Sequence, residues 1–208
     1  FVPKGMWRTM TNFSTNSLAL VLSSTEYDEG DYVMDYDEYR MWRNNGSLET
    51  FSNVVRTSVK VNEPESISMK LKGKSVFDCS LCELNKMHDP EGNLTYIYEN
   101  VHVPFPINRV FYSYDIPGGE DRGAHAHKAL KQLIIALKGS FNVNIDDGHE
   151  RTTVTLSHPW EGLLIEPGTW RTLDTFSNDA VCMVLASEHY DENDYIRNYD
   201  EFISIYGK

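Results

Sequence analysis

Beyond residue 75 the chain runs in short stretches that alternate apolar and polar residues, separated by turns rich in glycine, proline and aspartate. Alternation with a period of two is the signature of a strand with one face in a core. Residues 76–84 and 94–98 read as strands on either side of the turn His88-Asp89-Pro90-Glu91-Gly92-Asn93. In 109–114 the alternation puts Val110, Tyr112 and Tyr114 on one face, and Pro117-Gly118-Gly119 ends that strand. Residues 133–137 form a wholly apolar run. After it, 140–145 and 151–156 flank Asp146-Asp147-Gly148-His149, the pattern of a hairpin with an Asp-Gly turn. Residues 162–166 and 180–186 supply two more strands. Many short strands at near-regular spacing predict an all-β closed sandwich or barrel. Only 194–206 has helical spacing, with Tyr195, Ile196, Tyr199, Phe202, Ile203 and Tyr206 on one stripe, which predicts a C-terminal helix docked on the barrel.

The pattern of residues 5–39 returns at 168–202 with a constant offset of 163 residues, and about half of the aligned positions are identical. Trp7 matches Trp170, Arg8 matches Arg171, Phe13 matches Phe176, and Tyr27-Asp28-Glu29 matches Tyr190-Asp191-Glu192. This is an internal duplication. The strands expected ahead of the second copy have no counterpart ahead of the first. The division expected is therefore 1–46 as the C-terminal part of a first copy, 47–74 as a connecting segment, and 75–208 as a complete domain. The segment 17–24 is strand-forming, and Tyr32, Val33, Tyr36 and Tyr39 repeat the helical stripe. Left alone, such a piece exposes sheet edges and an apolar helix face. It is expected to pack on strands outside its own copy, either 57–71 of the connecting segment or those of a second chain, in a dimer.

Composition narrows the partners. A chain of 208 residues with 40% hydrophobic and 24% charged content is that of a globular protein, and no run approaches the ~20 apolar residues of a membrane span. The net charge of −12 has no basic stripe to offset it, which argues against nucleic acid or an anionic membrane. An anionic ligand then has to be met by a local cluster of arginines. Three cysteines, Cys79, Cys82 and Cys182, are too few and odd in number for a disulfide framework, so a reducing, cytoplasmic setting is expected. Cys79-Ser80-Leu81-Cys82 reads as core packing in a strand.

The chemistry centres on Arg122-Gly123-Ala124-His125-Ala126-His127-Lys128, because two histidines two apart on a strand enter one cavity together. The spacing of Gly119, His125, His127, Gln132 and Gly139 resembles the first motif of the cupin superfamily, whose fold is a double-stranded β-helix, or jelly-roll barrel. Pro3 to Arg8 resembles the second motif, as does Glu166-Pro167-Gly168-Thr169-Trp170-Arg171, so 1–46 reads as a partial second cupin copy. In metal-binding cupins the place of Gln132 is usually a glutamate, and that of Arg171 a histidine. An always-protonated guanidinium has no lone pair to give, and a fixed cation repels a divalent metal. The cavity is read as metal-free, with no cofactor.

From about Ser75 onward the chain resembles the WxcM-like cupins, the sugar-nucleotide 3,4-ketoisomerases. The resemblance rests on Arg109-Val110-Phe111-Tyr112, on the stretch from Arg122 to Lys128, on Asp146-Asp147-Gly148, and on Val184-Leu185-Ala186-Ser187 through Tyr190-Asp191-Glu192-Asn193-Asp194-Tyr195-Ile196. It implies a substrate like dTDP-4-keto-6-deoxyglucose, a role in deoxysugar biosynthesis, and a dimer. Moving a ketone from C4 to C3 needs a base for the C3 proton and an acid for C4, and one histidine serves for both. His127 is expected as the base with His125 holding or relaying, and Tyr112 or Tyr114 as the hydroxyl donor. Arg109 and Arg122 are candidates for the pyrophosphate and Arg171 for the sugar oxygens. Gln132 joins them among the substrate-binding residues, and Trp170 is a candidate for stacking on a ring. The run from Tyr190 to Asp194 is expected to cap the helix. A sugar-nucleotide epimerase on the same fold and a non-catalytic nucleotide-sugar binding module are the alternatives.

Overall fold

The structure, a computed structural model, describes residues 1–45, 68–70, 76 and 79–207. The chain divides into two compact units, Phe1–Glu63 and Pro64–Lys208.

The second unit is the all-β domain. Its strands are β1 (Ser68–Lys70), β2 (Ser80–Glu83), β3 (Lys86–Asp89), β4 (Gly92–Thr95), β5 (Arg109–Ser113), β6 (Arg122–His127) and β7 (Gln132–Lys138). They continue with β8 (Phe141–Asp146), β9 (Arg151–Leu156), β10 (Glu161–Ile165), β11 (Trp170–Asp174), β12 (Val181–Ala186) and β13 (Tyr195–Ile196). One sheet runs β1-β2-β10-β7-β12-β5 and the other β13-β6-β11-β8-β9, while β3 and β4 form a separate hairpin. This double-sheet order, with sequential strands dealt alternately to the two sheets, is that of the cupin jelly roll.

The main core lies between the sheets. Ile134, Ala136, Leu163, Ile165, Cys182 and Val184 from the first meet Phe141, Val143, Ile145, Leu156 and Leu173 from the second. The first sheet is buried on its other face as well, where Leu133, Ile135, Leu164, Met183 and Leu185 pack with Val103 and Phe105. Burial on both faces explains why 133–137 is wholly apolar rather than alternating. All three cysteines are buried and free. Desolvation raises the thiol pKa of each, that of Cys182 to about 12, so they behave as core residues.

A third cluster, Ala126, Trp170, Ile196 and Phe202, sits under α2 (Tyr199–Tyr206). The helix starts later than its apolar stripe suggests. Asn198 is its N-cap, accepting from the Glu201 N–H, while Tyr195 and Ile196 pair as β13 with His127 and Ala126. Asp191 caps a 3-10 turn at Glu192–Asp194, as the acidic run suggested, but not the helix. The hairpin around Asp146-Asp147-Gly148 forms as expected, with Gly148 at φ 90° and its N–H donated to Asp146.

The second unit also begins before Ser75. β1, expected in the connecting segment, pairs with β2. The other strand-like run of that segment, 57–62, lies outside the described residues.

In the first unit, the 3-10 turn Glu29–Asp31 and the helix α1 (Tyr36–Asn45) stand where the repeat places them. The segment 17–24, strand-forming by its sequence, carries no strand. Among the described residues no helix is long and apolar enough to cross a membrane.

Candidate active site

β6 lies between β13 and β11, so both neighbours of the His-x-His strand come from the last forty residues of the chain. Alternation turns His125 and His127 to the barrel interior and Ala126 to the cluster under α2. A bulge aligns the two strands: Arg171 stands opposite His125 and Thr172 opposite Gly123, leaving Ala124 as the extra residue. Gly123 (φ 90°) and Ala124 (φ 45°) make that bend. A side chain at 123 is excluded twice, by the backbone and by the Arg171 carbonyl, 3.0 Å from where a Cβ would lie.

The two imidazoles lie 4.9 Å apart, edge to face, but differ in access. His125 is half-buried, and its Nδ1 lies 2.6 Å from the Gly123 carbonyl oxygen. A carbonyl only accepts, so the ring proton is on Nδ1 and Nε2 carries a lone pair. Burial, then the Arg171 charge, push its pKa down to about 4, against the opposing pull of the Gly123 bond. His127 is only 2% exposed, and both of its ring nitrogens are shielded from solvent. Its Nδ1 lies 2.7 Å from Asp194 Oδ2, a close contact that is not aligned as a hydrogen bond. Burial first, and then the charge of Arg171, with Arg109 further down, hold this ring neutral as well. Asp194 is fixed in turn by the Ala129 N–H, which donates to its Oδ1 at 2.7 Å.

Arg171 is buried, at 2% exposure, and its acceptors are neutral: Gln132 Oε1 at 2.6 Å from Nη2, and the carbonyls of His125 and Thr169 at 3.3 and 3.5 Å from Nη1. Burial lowers its pKa to about 9, still charged at neutrality. The Tyr195 ring closes the site, 4.9 Å from His125 and 4.3 Å from His127, with the Arg197 guanidinium 4.3 Å over it and Arg197 Nε paired to Glu192 at 2.7 Å. Arg109, on β5, lies over Phe111 and Tyr190 with a buried Nε that has no acceptor among the described residues.

The structure thus brings together His125, His127, Gln132 and Arg171, with Arg109 close enough to depress His127. Other expected residues do not join them. Tyr112 pairs with Met183 across the β5–β12 ladder, so it faces away from the inter-sheet core; Tyr112 and Tyr114 are 57% and 59% exposed. Trp170 precedes Arg171 on a strand and therefore points the opposite way, against Tyr199 and Phe202, where it anchors α2. Arg122 is exposed at the start of β6, opposite Leu173. His127, expected as the base, has no accessible nitrogen, whereas His125 has. Asp194 and Tyr195 escaped the sequence reading because they were counted into the cap and the helix; the period-two match of Tyr195-Ile196 to a strand was the available signal.

The donor set does not fit a metal. Two imidazoles remain, the Gln132 oxygen is engaged by a guanidinium, and that guanidinium fills the position of a further ligand.

The FdtA, WxcM-like, C-terminal family model matches residues 1–44 and 77–207. The chain is 49% identical over 117 residues to the TDP-4-oxo-6-deoxy-alpha-D-glucose-3,4-oxoisomerase of Aneurinibacillus thermoaerophilus, which covers 56% of this chain and 84% of that protein. It resembles the WlaRB TDP-quinovose 3,4-ketoisomerase of Campylobacter jejuni at 41% identity and a TM-score of 0.60, over 62% of this chain and 98% of that one. It also resembles the 3,4-ketoisomerase QdtA of Thermoanaerobacterium thermosaccharolyticum, solved as a histidine-to-asparagine variant in complex with TDP-4-keto-6-deoxyglucose. There the identity is 38% and the TM-score 0.62, over 62% of this chain and 94% of that one.

Proposed function

We propose that this chain, which belongs to the WxcM-like family, converts a dTDP-4-keto-6-deoxyhexose to its 3-keto isomer, with His125 as the proton-transfer residue. The observation that carries the reading is the half-buried His125, its Nδ1 proton committed to the Gly123 carbonyl so that Nε2 keeps the lone pair, standing opposite the buried Arg171 on the neighbouring strand. His125 Nε2 takes the proton from C3, and the C3–H electrons form the C3–C4 double bond as the C4 carbonyl becomes an enediolate oxygen. Proton exchange between the two oxygens follows, with the Tyr195 hydroxyl as the nearest phenol. The imidazolium then returns a proton to C4 while C3 becomes the ketone. One carbon is oxidised and its neighbour reduced, so no external redox partner enters the balance.

Arg171 stabilises the enediolate by its field, a fixed charge in a site of low dielectric. Gln132 holds the guanidinium in place, Asp194 orients His127, and His127 forms the wall against which His125 packs. Arg109, with an unsatisfied Nε, and Arg122, exposed at the start of β6, are assigned to the diphosphate. Assembly as a homodimer belongs to the same proposal; it is supported by β5, an edge strand carrying exposed Phe111 and Tyr112, with exposed Tyr114 just after it.

The test is incubation with dTDP-4-keto-6-deoxyglucose in D2O and proton NMR of the product. A 3-keto sugar supports the reading, its C4 carrying hydrogen to the extent that the imidazolium returns the C3 proton and deuterium to the extent that it first exchanges with solvent. A product inverted at C3 or C5 with its ketone still at C4 identifies an epimerase and refutes it. Light scattering at twice the chain mass is the expected result for the dimer.

A further inference from the structure

We infer that Asn108 is a positioning residue for diphosphate binding: it clips the start of β5 to the end of β12 and so aims the Arg109 guanidinium, without touching the substrate itself. The inference rests on the proposed assignment of Arg109 to the diphosphate.

Alternation turns Arg109 inward. It shares a face of β5 with Phe111, and Phe111 stands opposite Val184, which belongs to the core between the sheets. The Arg109 charge accordingly reaches His127. Directed bonds do little to hold the side chain. Its Nε is buried with no acceptor among the described residues, and its guanidinium lies over the rings of Phe111 and Tyr190, at 5.1 and 5.6 Å. A cation over a ring face is attracted by the quadrupole of the ring and by no oriented acceptor. Where the guanidinium points is then set by where the backbone starts it.

That backbone would otherwise be a weak place in the sheet. β5 is an edge strand, paired within the chain to β12 alone, and Arg109 is its first residue, where fraying begins. Asn108 closes this end twice. Its N–H donates to the Ala186 carbonyl at 3.1 Å, and its Nδ2 donates to the Ser187 carbonyl at 2.7 Å. Ser187 is a firm anchor: it is buried, its N–H donates to the Lys131 carbonyl at 3.1 Å, and its Oγ accepts from the Lys131 N–H at 3.0 Å. Lys131 precedes Gln132, the residue that holds Arg171, so the clip fixes Arg109 relative to the other cation of the site. Tyr190, one of the rings under Arg109, leaves the same anchor three residues after Ser187. The chain also enters the clip already held, because the Ile107 N–H donates to Glu99 Oε2 at 2.9 Å.

The test is a double-mutant cycle on the affinity for dTDP, read by calorimetry, with kcat and KM for dTDP-4-keto-6-deoxyglucose measured alongside. Asn108→Ala should weaken dTDP binding and raise KM by about fivefold, the weight of one hydrogen bond, with kcat within about twofold of wild type. Asn108→Asp keeps the shape but has no N–H to give and sets a charge against the Ser187 carbonyl, so it should weaken binding at least as much. In Arg109→Gln, which itself weakens binding, Asn108→Ala should have no further effect, because the group that it positions is gone. A loss that persists undiminished in the Arg109→Gln background means that Asn108 meets the ligand itself or only supports the fold, and overturns the inference. Unchanged dTDP binding in Asn108→Ala, or a fall in kcat with KM unmoved, overturns it as well. If Arg109→Gln binds dTDP as the wild type does, the assignment of Arg109 fails and this inference falls with it, while the isomerase reading is judged separately by the 3-keto product.

Discussion

Replacing Arg171 by glutamine tests the electrostatic argument directly, because it removes the charge and keeps an N–H donor for Gln132. Arg171 stands opposite His125 on adjacent antiparallel strands, which places their Cβ atoms about 5 Å apart and sets a similar scale, on the order of 5 Å, for the approach of the two groups. At that distance, with an effective dielectric of about 20, a unit charge opposes a second by about 3 kcal/mol, or roughly two pKa units, as an upper bound. The whole depression of His125 runs from 6.5 to about 4, and burial is its largest cause. The share of Arg171 is therefore on the order of one unit. Because the base must be neutral, activity falls as the pH drops through the pKa of His125. The acid limb of kcat/KM, expected near pH 4 in the wild type, should move up by about one unit in Arg171→Gln. Loss of the field on the enediolate should also lower the plateau by ~100-fold. The assay is the pH dependence of kcat/KM between pH 3.5 and 8, with folding followed by circular dichroism. An acid limb that stays where it was, or moves down, refutes the placement of Arg171 as the charge that acts on the base.

Three further outcomes follow from the same geometry. His125→Asn should reduce turnover by ~100-fold or more while leaving the melting temperature within a few degrees; retention of more than a tenth of wild-type activity removes His125 as the base. Tyr195→Phe should lower kcat, whereas Tyr112→Phe and Tyr114→Phe should leave it unchanged in steady-state kinetics; the opposite pattern would restore the β5 tyrosines to the site. Stability should fall on acidification: the folded pKa of both histidines is below the unfolded value of 6.5, so the unfolded chain binds more protons between about pH 6.5 and 4. Urea unfolding at pH 7 and 4.5 should differ by ~2 kcal/mol or more from these two groups, and His125→Asn should shrink the difference.

Those features legible in the sequence were local ones. Arg171 was found through the resemblance of Glu166-Pro167-Gly168-Thr169-Trp170-Arg171 to the second cupin motif. The His-x-His pair was found because strand alternation has a period of two residues, and three or four residues suffice to fix which side chains share a face. The grouping of Val110, Tyr112 and Tyr114 was right for the same reason, but the face was not. It turns outward with Met183 and Leu185, because this sheet is buried on both faces and the second face is covered by Val103 and Phe105. No local pattern says which of two apolar faces is the barrel interior. Trp170 shows the converse: adjacent strand residues cannot enter one cavity, so assigning both Trp170 and Arg171 to ligand contact broke the rule that found the histidines. Asp194 and Tyr195 were hidden because a two-residue strand next to a helix fits either period, and its pairing with His127 and Ala126 joins segments about 68 residues apart in the chain.

The site is costly to hold together, and the nature of that cost supports the proposed chemistry. A guanidinium at 2% exposure whose hydrogen-bond acceptors are all neutral is offset only in part, by the field of nearby groups such as Asp194, against a desolvation penalty of several kcal/mol in proteins. Burial accordingly drags its pKa to about 9. A purely structural residue at this position would be better apolar, as its neighbours Ala126 and Leu173 are. The charge becomes more favourable when a further negative charge forms beside it, which in an enolisation happens at the enediolate and not in the bound ketone. An interaction that strengthens in that way lowers the barrier rather than the affinity. Burial chiefly, and this charge after it, keep both imidazoles neutral at physiological pH, so the ring that must accept the first proton is ready to do so. One buried cation thus prepares the base and stabilises what the base creates. The scaffold can supply it only by threading the tail beside the His-x-His strand, through β11 and β13 on either side of β6.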